Sequence, residues 1–223
     1  MEVLLVIIGI CVFAVLAYLG HQAEMKRRAA FQAFADKHGL NYDHTRDREL
    51  AKRYSFIDQI RRGSSRYAYN VLSGVYKDVP IRVFDFHYAT RSTDSKGNTR
   101  TQHHYCSFYM LRFEKDFPEL RITHEGLFSK LIQAIGFDDI DFESHAFSKR
   151  YNVKSNDKKF AYDVCNARMI DYLLDNDDLE FEIEGNLLAV GVERKLDVAV
   201  LGAKLDRLLV LRERLPNYLF TTP

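Results

Sequence analysis

The chain has 223 residues, of which 47% are hydrophobic, 28% charged and 13% aromatic. That is enough apolar matter for one globular core and excludes a disordered or low-complexity chain. Its 32 basic and 31 acidic residues leave a formal charge of +1, without the global basicity of a dedicated nucleic-acid binder.

The first element is apolar. From Val3 to Gly20 eighteen residues carry no charge, and twelve of them are Leu, Ile, Val or Phe. At about 1.5 Å each they extend about 27 Å, close to the thickness of a hydrocarbon core, with a gross insertion term of about −4 to −7 kcal/mol. Only Met1 and Glu2 precede the run and no A-x-A site follows directly after it, which favours a retained anchor over a cleaved signal. Residues 1–23 are read as this anchor. Lys26, Arg27 and Arg28 follow it, so the positive-inside rule predicts a single-pass inner-membrane protein with its N-terminus out and its C-terminal domain in the cytoplasm. The three cysteines, Cys11, Cys106 and Cys165, form no CxxC pair, which fits a reducing compartment and gives no disulfide framework or Cys-based zinc motif.

Residues 24–65 read as a juxtamembrane basic helical segment. The anchor helix is expected to continue through Glu24 to His38, with Ala30, Phe31 and Phe34 on one side and Gly39 as its stop. Residues 21–66 hold eleven basic and six acidic side chains, including Lys26, Arg27, Arg28, Lys52, Arg53, Arg61, Arg62 and Arg66. Such a collar suits anionic lipid headgroups. An ordinary solvated helix face accounts for the same pattern.

Residues 66–223 read as a cytosolic α+β domain. Arg66–Tyr76 and Pro80–Thr90 are predicted to form a hairpin turned at Lys77-Asp78, and Arg100–Phe113 a third strand of an antiparallel meander. Leu127, Leu131 and Ile135 recur at helical spacing before Gly136. Residues 137–184 then reverse the charge, with thirteen acidic against six basic side chains. Ser144 and Asn156 are candidate N-caps, and ARMIDYLLD is a further helix. LEFEIEG and NLLAVGVER read as a second hairpin turned at Gly185-Asn186. A final helix carries Leu201, Leu205, Leu208 and Leu209 on one face and closes at Pro216. Strands, helices, strands and a helix in that order predict α+β, not a parallel α/β sheet.

The run Phe147–Leu174, with Phe147, Lys149, Arg150, Tyr151, Val153, Ser155, Asp157, Ala161 and Met169 at characteristic places, resembles an uncharacterised family of bacterial membrane-tethered domains, as does the hairpin at 70–88. The resemblance extends through the 147–190 region and implies a tethered α+β domain. It carries no catalytic residue. Asn166-Ala167-Arg168 departs from it, since a proline is expected before the Met-containing helix. The same positions read as a folding signature: Phe147, Tyr151, Val153, Phe160, Ala161 and Val164 as core, Ser155 to Asp157 as a turn and helix start.

Phosphate-binding glycine patterns, G-x-S-x-G and H-E-x-x-H are absent. One constellation has metal-binding chemistry. Asp85 and His87 share a face of one strand and His104 and Cys106 a face of the next; pairing Asp85 with Cys106 and His87 with His104 would converge four ligands into a hydrolytic centre. A register shifted by one residue would separate the two pairs. Asp138, Asp139, Asp141 and Glu143 lack calcium-loop spacing, and Asp175, Asp177, Asp178, Glu180, Glu182 and Glu184 read as a helix end and the wet face of a strand. The sequence therefore predicts a binding or assembly module at the bilayer surface, with lipid and a protein as partners, no nucleic acid, no cofactor and no assigned catalytic or metal residue. A tethered metal-dependent hydrolase is the alternative.

Overall fold

The computed structural model describes residues 2–95, 97–124, 140 and 142–221. The helix expected around Leu127, Leu131, Ile135 and Gly136 lies outside the described residues, as do Asp138, Asp139 and Asp141.

The fold is α+β: a long N-terminal helix leads into an antiparallel sheet flanked by shorter helices. Helix α1 (Glu2–His38) is continuous over 37 residues, so the apolar stretch passes into the amphipathic one without a break. Residues 6–20 are exposed, Phe13 by 74%, whereas Phe31 and Ala35 are buried in the domain and Ala30 faces solvent. Among the described residues this is the one helix long and apolar enough to cross a membrane. It ends at Gly39, whose φ of +65° lets the Leu40 N–H donate back to the Ala35 carbonyl at 2.9 Å.

Strand β1 (Asn41–Asp43) is followed by the short helices α2 (Arg48–Arg53) and α3 (Asp58–Arg61), then by β2 (Ser64–Tyr76), β3 (Val79–Thr93) and β4 (Thr99–His124). These four strands pair in chain order, all antiparallel. The β2–β3 hairpin turns at Lys77 and Asp78, both with positive φ, because a two-residue turn of that hand matches the strand twist. The remaining elements are α4 (His145–Arg150), β5 (Tyr151–Ser155), α5 (Lys158–Val164), α6 (Ala167–Asp175), β6 (Phe181–Val192), α7 (Val198–Arg214) and α8 (Tyr218–Thr221).

Two expectations are corrected. β4 does not end at Phe113 but runs to His124, with β3 along its first half, β5 along its last residues and β6 on the opposite edge. Register shifts around Phe117 absorb Pro118, which has no N–H to give the ladder. The second hairpin is also absent: β6 is one strand. Gly185, at φ +55°, is a bulge opposite Phe117 where β6 follows the bend of β4, so the apolar alternation resumes beyond it without reversing direction.

The sheet separates two cores. Leu50, Ala51, Tyr54, Ile57 and Ile60 from α2, α3 and their connection cover Phe84, Phe86, Phe108 and Met110 on one face. On the other, α1, α4, α5, α6 and α7 pack on Leu72, Val83, Tyr109, Leu111, Ile122 and Ile183. Helix starts follow capping chemistry: Ser144, Asp157, Asn166 and Asp197 each accept from an N–H of the first turn. The α5 cap is thus Asp157 and not Asn156. Asn166 starts α6 where the family resemblance implies proline, and its amide also ties to the Arg214 carbonyl at 3.2 Å.

Candidate functional site

The strand register decides the fate of the four candidate metal ligands. Asp85 pairs with Ser107, Phe86 with Cys106, His87 with Tyr105 and Tyr88 with His104. This is one residue away from the convergent pairing, so Asp85 and His87 face α1 while His104 and Cys106 face the α2–α3 side. The hydrolytic centre expected from these four side chains does not form. Burial pushes the Cys106 thiol up to about 12, so it stays protonated beside the second core. His104 stacks on Tyr88 with centroids 4.6 Å apart and bonds Thr90 at 2.8 Å. The His87 Nδ1–H donates to the Ser65 carbonyl at 3.1 Å, leaving Nε2 to accept from His103 at 2.9 Å; burial lowers its pKa and outweighs the Ser65 hydrogen bond, which raises it.

Asp85 has a different partner, one that the sequence reading missed. The Arg27 Nη2 donates to its Oδ2 at 2.7 Å and to the Leu196 carbonyl at 2.9 Å. The Asn70 amide donates to the same Oδ2 at 2.8 Å, the Leu196 N–H to Oδ1 at 2.7 Å, and the Tyr42 hydroxyl to Asn70 Oδ1 at 2.8 Å. Asp85 is fully buried. Its carboxylate therefore gathers α1, β1, β2 and the β6–α7 connection around the middle of β3. The Arg27 guanidinium also lies 4.8 Å above the Phe31 ring. Asn70 takes a left-handed φ of 49°, which places its amide over Asp85 at an irregularity of the β2–β3 register.

A second buried cluster corrects the reading of 180–184 as a wet strand face. Glu182 is buried, and Arg121 reaches Asp58, Glu119 (2.5 Å) and Glu182 (3.3 Å). Ligand oxygens of Glu119, Glu182 and Glu184 lie within 4.8 Å of one another, so these three carboxylates have the donor chemistry for a hard cation. Arg121 already supplies positive charge in their midst. Burial, outweighing Arg121, raises Glu182 to about 8, which adds a proton to the neutralisation. The signal available in the sequence was Arg121 set between Leu120 and Ile122 in a strand buried on both faces.

Two clefts open beside the sheet. A cleft of about 620 Å³ lies beside β4, β6 and the start of α7, among Ser107, Tyr109, His124, Glu180, Lys195 and Val200. A second, of about 460 Å³, lies where α1 meets the sheet and is lined by Glu24, Arg28, Arg46, Tyr67, Tyr69 and Lys195, among others. Both fall in the size range of small-ligand sites.

No protein-family model and no curated protein matches the chain. Among solved structures, it resembles the crystal structure of the mycobacterial trehalose monomycolate transport factor A, TtfA. The two share 17% identity with a TM-score of 0.60, over 86% of this chain and 95% of that one. The likeness is one of fold.

Proposed function

We propose that the chain is a single-span membrane protein whose α+β domain is a binding or assembly module held at a fixed height and orientation on the bilayer. The carrying observation is the junction. The apolar helix enters the domain unbroken, buries Phe31 and Ala35, and is tied by Arg27 to Asp85. A flexible linker would let a tethered domain sample many orientations, whereas a continuous helix with a buried ion pair sets one. Fixed presentation suits docking onto a neighbouring membrane component. The likeness to a transport factor supports an accessory role of this kind, with work in membrane transport as the specific form. Lys26, Arg27 and Arg28 support a cytoplasmic domain and an N-terminus outside the inner membrane. The resemblance of Phe147–Leu174 to a membrane-tethered family agrees with this reading.

The test inserts Gly-Ser segments between Gly20 and Glu24, keeping anchor and domain but freeing one from the other. Partners are captured from membranes in mild detergent by the full-length chain and by this variant. Partners retained by the parent and lost by the variant are the expected outcome; equal recovery by both, or none by the parent, overturns the fixed-presentation reading.

A further inference from the structure

We propose that the cleft where α1 meets the sheet takes the phosphate of an anionic lipid headgroup from the bilayer around α1. The proposal rests on α1 spanning the membrane and names the ligand class of that module. Glu24 and Arg28 line the cleft four and eight residues beyond Gly20, which places them about 6–12 Å past the apolar stretch. The headgroup layer is about 5–8 Å deep, so the cleft opens from within it to just beyond its outer edge.

The lining has the matching chemistry. Arg46 and Lys195 are exposed and stand over two tyrosine rings, Arg46 at 4.7 Å from the Tyr67 centroid and Lys195 at 4.6 Å from that of Tyr105. Among the described residues neither has an acidic partner within ion-pair distance, whereas Arg28 is held by Glu24 at 3.0 Å. The one acidic side chain of the lining is thus already neutralised, and His44 adds a further donor. The Tyr69 hydroxyl is buried in the cleft wall without a hydrogen-bond partner, a condition that a buried phenol rarely keeps. Two cations on aromatic faces suit the oxygens of a phosphodiester, and exposed Tyr105 suits the polar–apolar boundary beside it. Cations stacked on rings also lose less side-chain freedom when the anion arrives.

The full-length chain in neutral detergent is titrated with short-chain phosphatidylglycerol, phosphatidylcholine or glycerol phosphate, and thermal unfolding is followed. Phosphatidylglycerol is expected to raise Tm, with phosphatidylcholine and glycerol phosphate far weaker. The exposed double variant R46Q/K195Q is expected to weaken the apparent affinity at least about tenfold, while K52Q/R53Q, which removes the same charge from α2, leaves it unchanged. Equal weakening by both variants would reduce the effect to diffuse charge. An equal response to glycerol phosphate would make the ligand a soluble phosphate. No response in the parent would overturn the site. Carbonate extraction of membranes separates this failure from that of the anchor: a chain that resists extraction yet ignores phosphatidylglycerol loses only the headgroup site.

Discussion

Arg27 and Asp85, 58 residues apart in the chain, meet at 2.7 Å and join the helix that leaves the apolar stretch to the middle of the sheet. The carboxylate is fully buried and the guanidinium is 23% exposed. Asp85→Ala removes the shared acceptor of Arg27, Asn70 and Leu196, and is expected to cost about 3–5 kcal/mol. Arg27→Gln leaves that carboxylate short of its cation. Urea unfolding of both single variants and the double variant, in detergent, should return a coupling of about 1–3 kcal/mol. Additive effects would mean that the pair does not join anchor and sheet.

Glu182 makes stability fall as pH rises. Its folded pKa of about 8 lies above the ordinary carboxyl value, so between about pH 4.5 and 8 the folded state holds a proton that the unfolded state has released. The stability contributed is full below the unfolded pKa and is lost as pH climbs through the folded one. Glu184 is shifted in the same direction, mainly by burial. Asp178 and Asp206, lowered chiefly by hydrogen bonds from Arg207 and Lys77 respectively, act with the opposite sign in acid. His87, lowered mainly by burial, acts against Glu182 near its own ordinary value, so the check is the difference: the Tm of Glu182→Gln relative to the parent should rise from pH 5 to 8.

Gly63 and Gly191 separate two kinds of crowding. A Cβ on Gly63, at φ +65°, would lie 2.5 Å from the Ala89 carbonyl oxygen and 2.8 Å from the Tyr88 ring. Backbone cannot step aside, so Gly63→Ala is expected to cost about 1–3 kcal/mol. A Cβ on Gly191 would meet chiefly the far end of Gln59, which can rotate away. Gly191→Ala should stay under about 1 kcal/mol in the same denaturation assay.

Asp78 offers a stabilising change. It occupies a left-handed φ of 65° in the β2–β3 turn, where glycine carries no Cβ penalty. Asp78→Gly should raise stability by about 1 kcal/mol, read from the urea midpoint at constant slope. Lys77 is left in place because it pairs with Asp206 at 2.7 Å.

The elements written in local chemistry were legible. The Lys77-Asp78 turn, the Ser144 cap and the buried Leu201, Leu205 and Leu208 face of α7 follow from neighbours within a few residues. The core positions Phe147, Tyr151, Val153, Phe160, Ala161 and Val164 are all buried, as their spacing implied. Gly185 misled because a bulge and a turn ask for the same positive φ.

The chain by itself determined an apolar helix of spanning length, a β2–β3–β4 meander and the α+β class, since period and turn chemistry are local. Only the tertiary structure decided the β3–β4 register, which sends Asp85 and Cys106 to opposite faces, and the company of Arg27 and Glu182. Alternation looks the same after a one-residue slip. What selects the register is the burial of Phe84, Phe86 and Phe108 together under α2 and α3, a long-range contact that no local pattern contains.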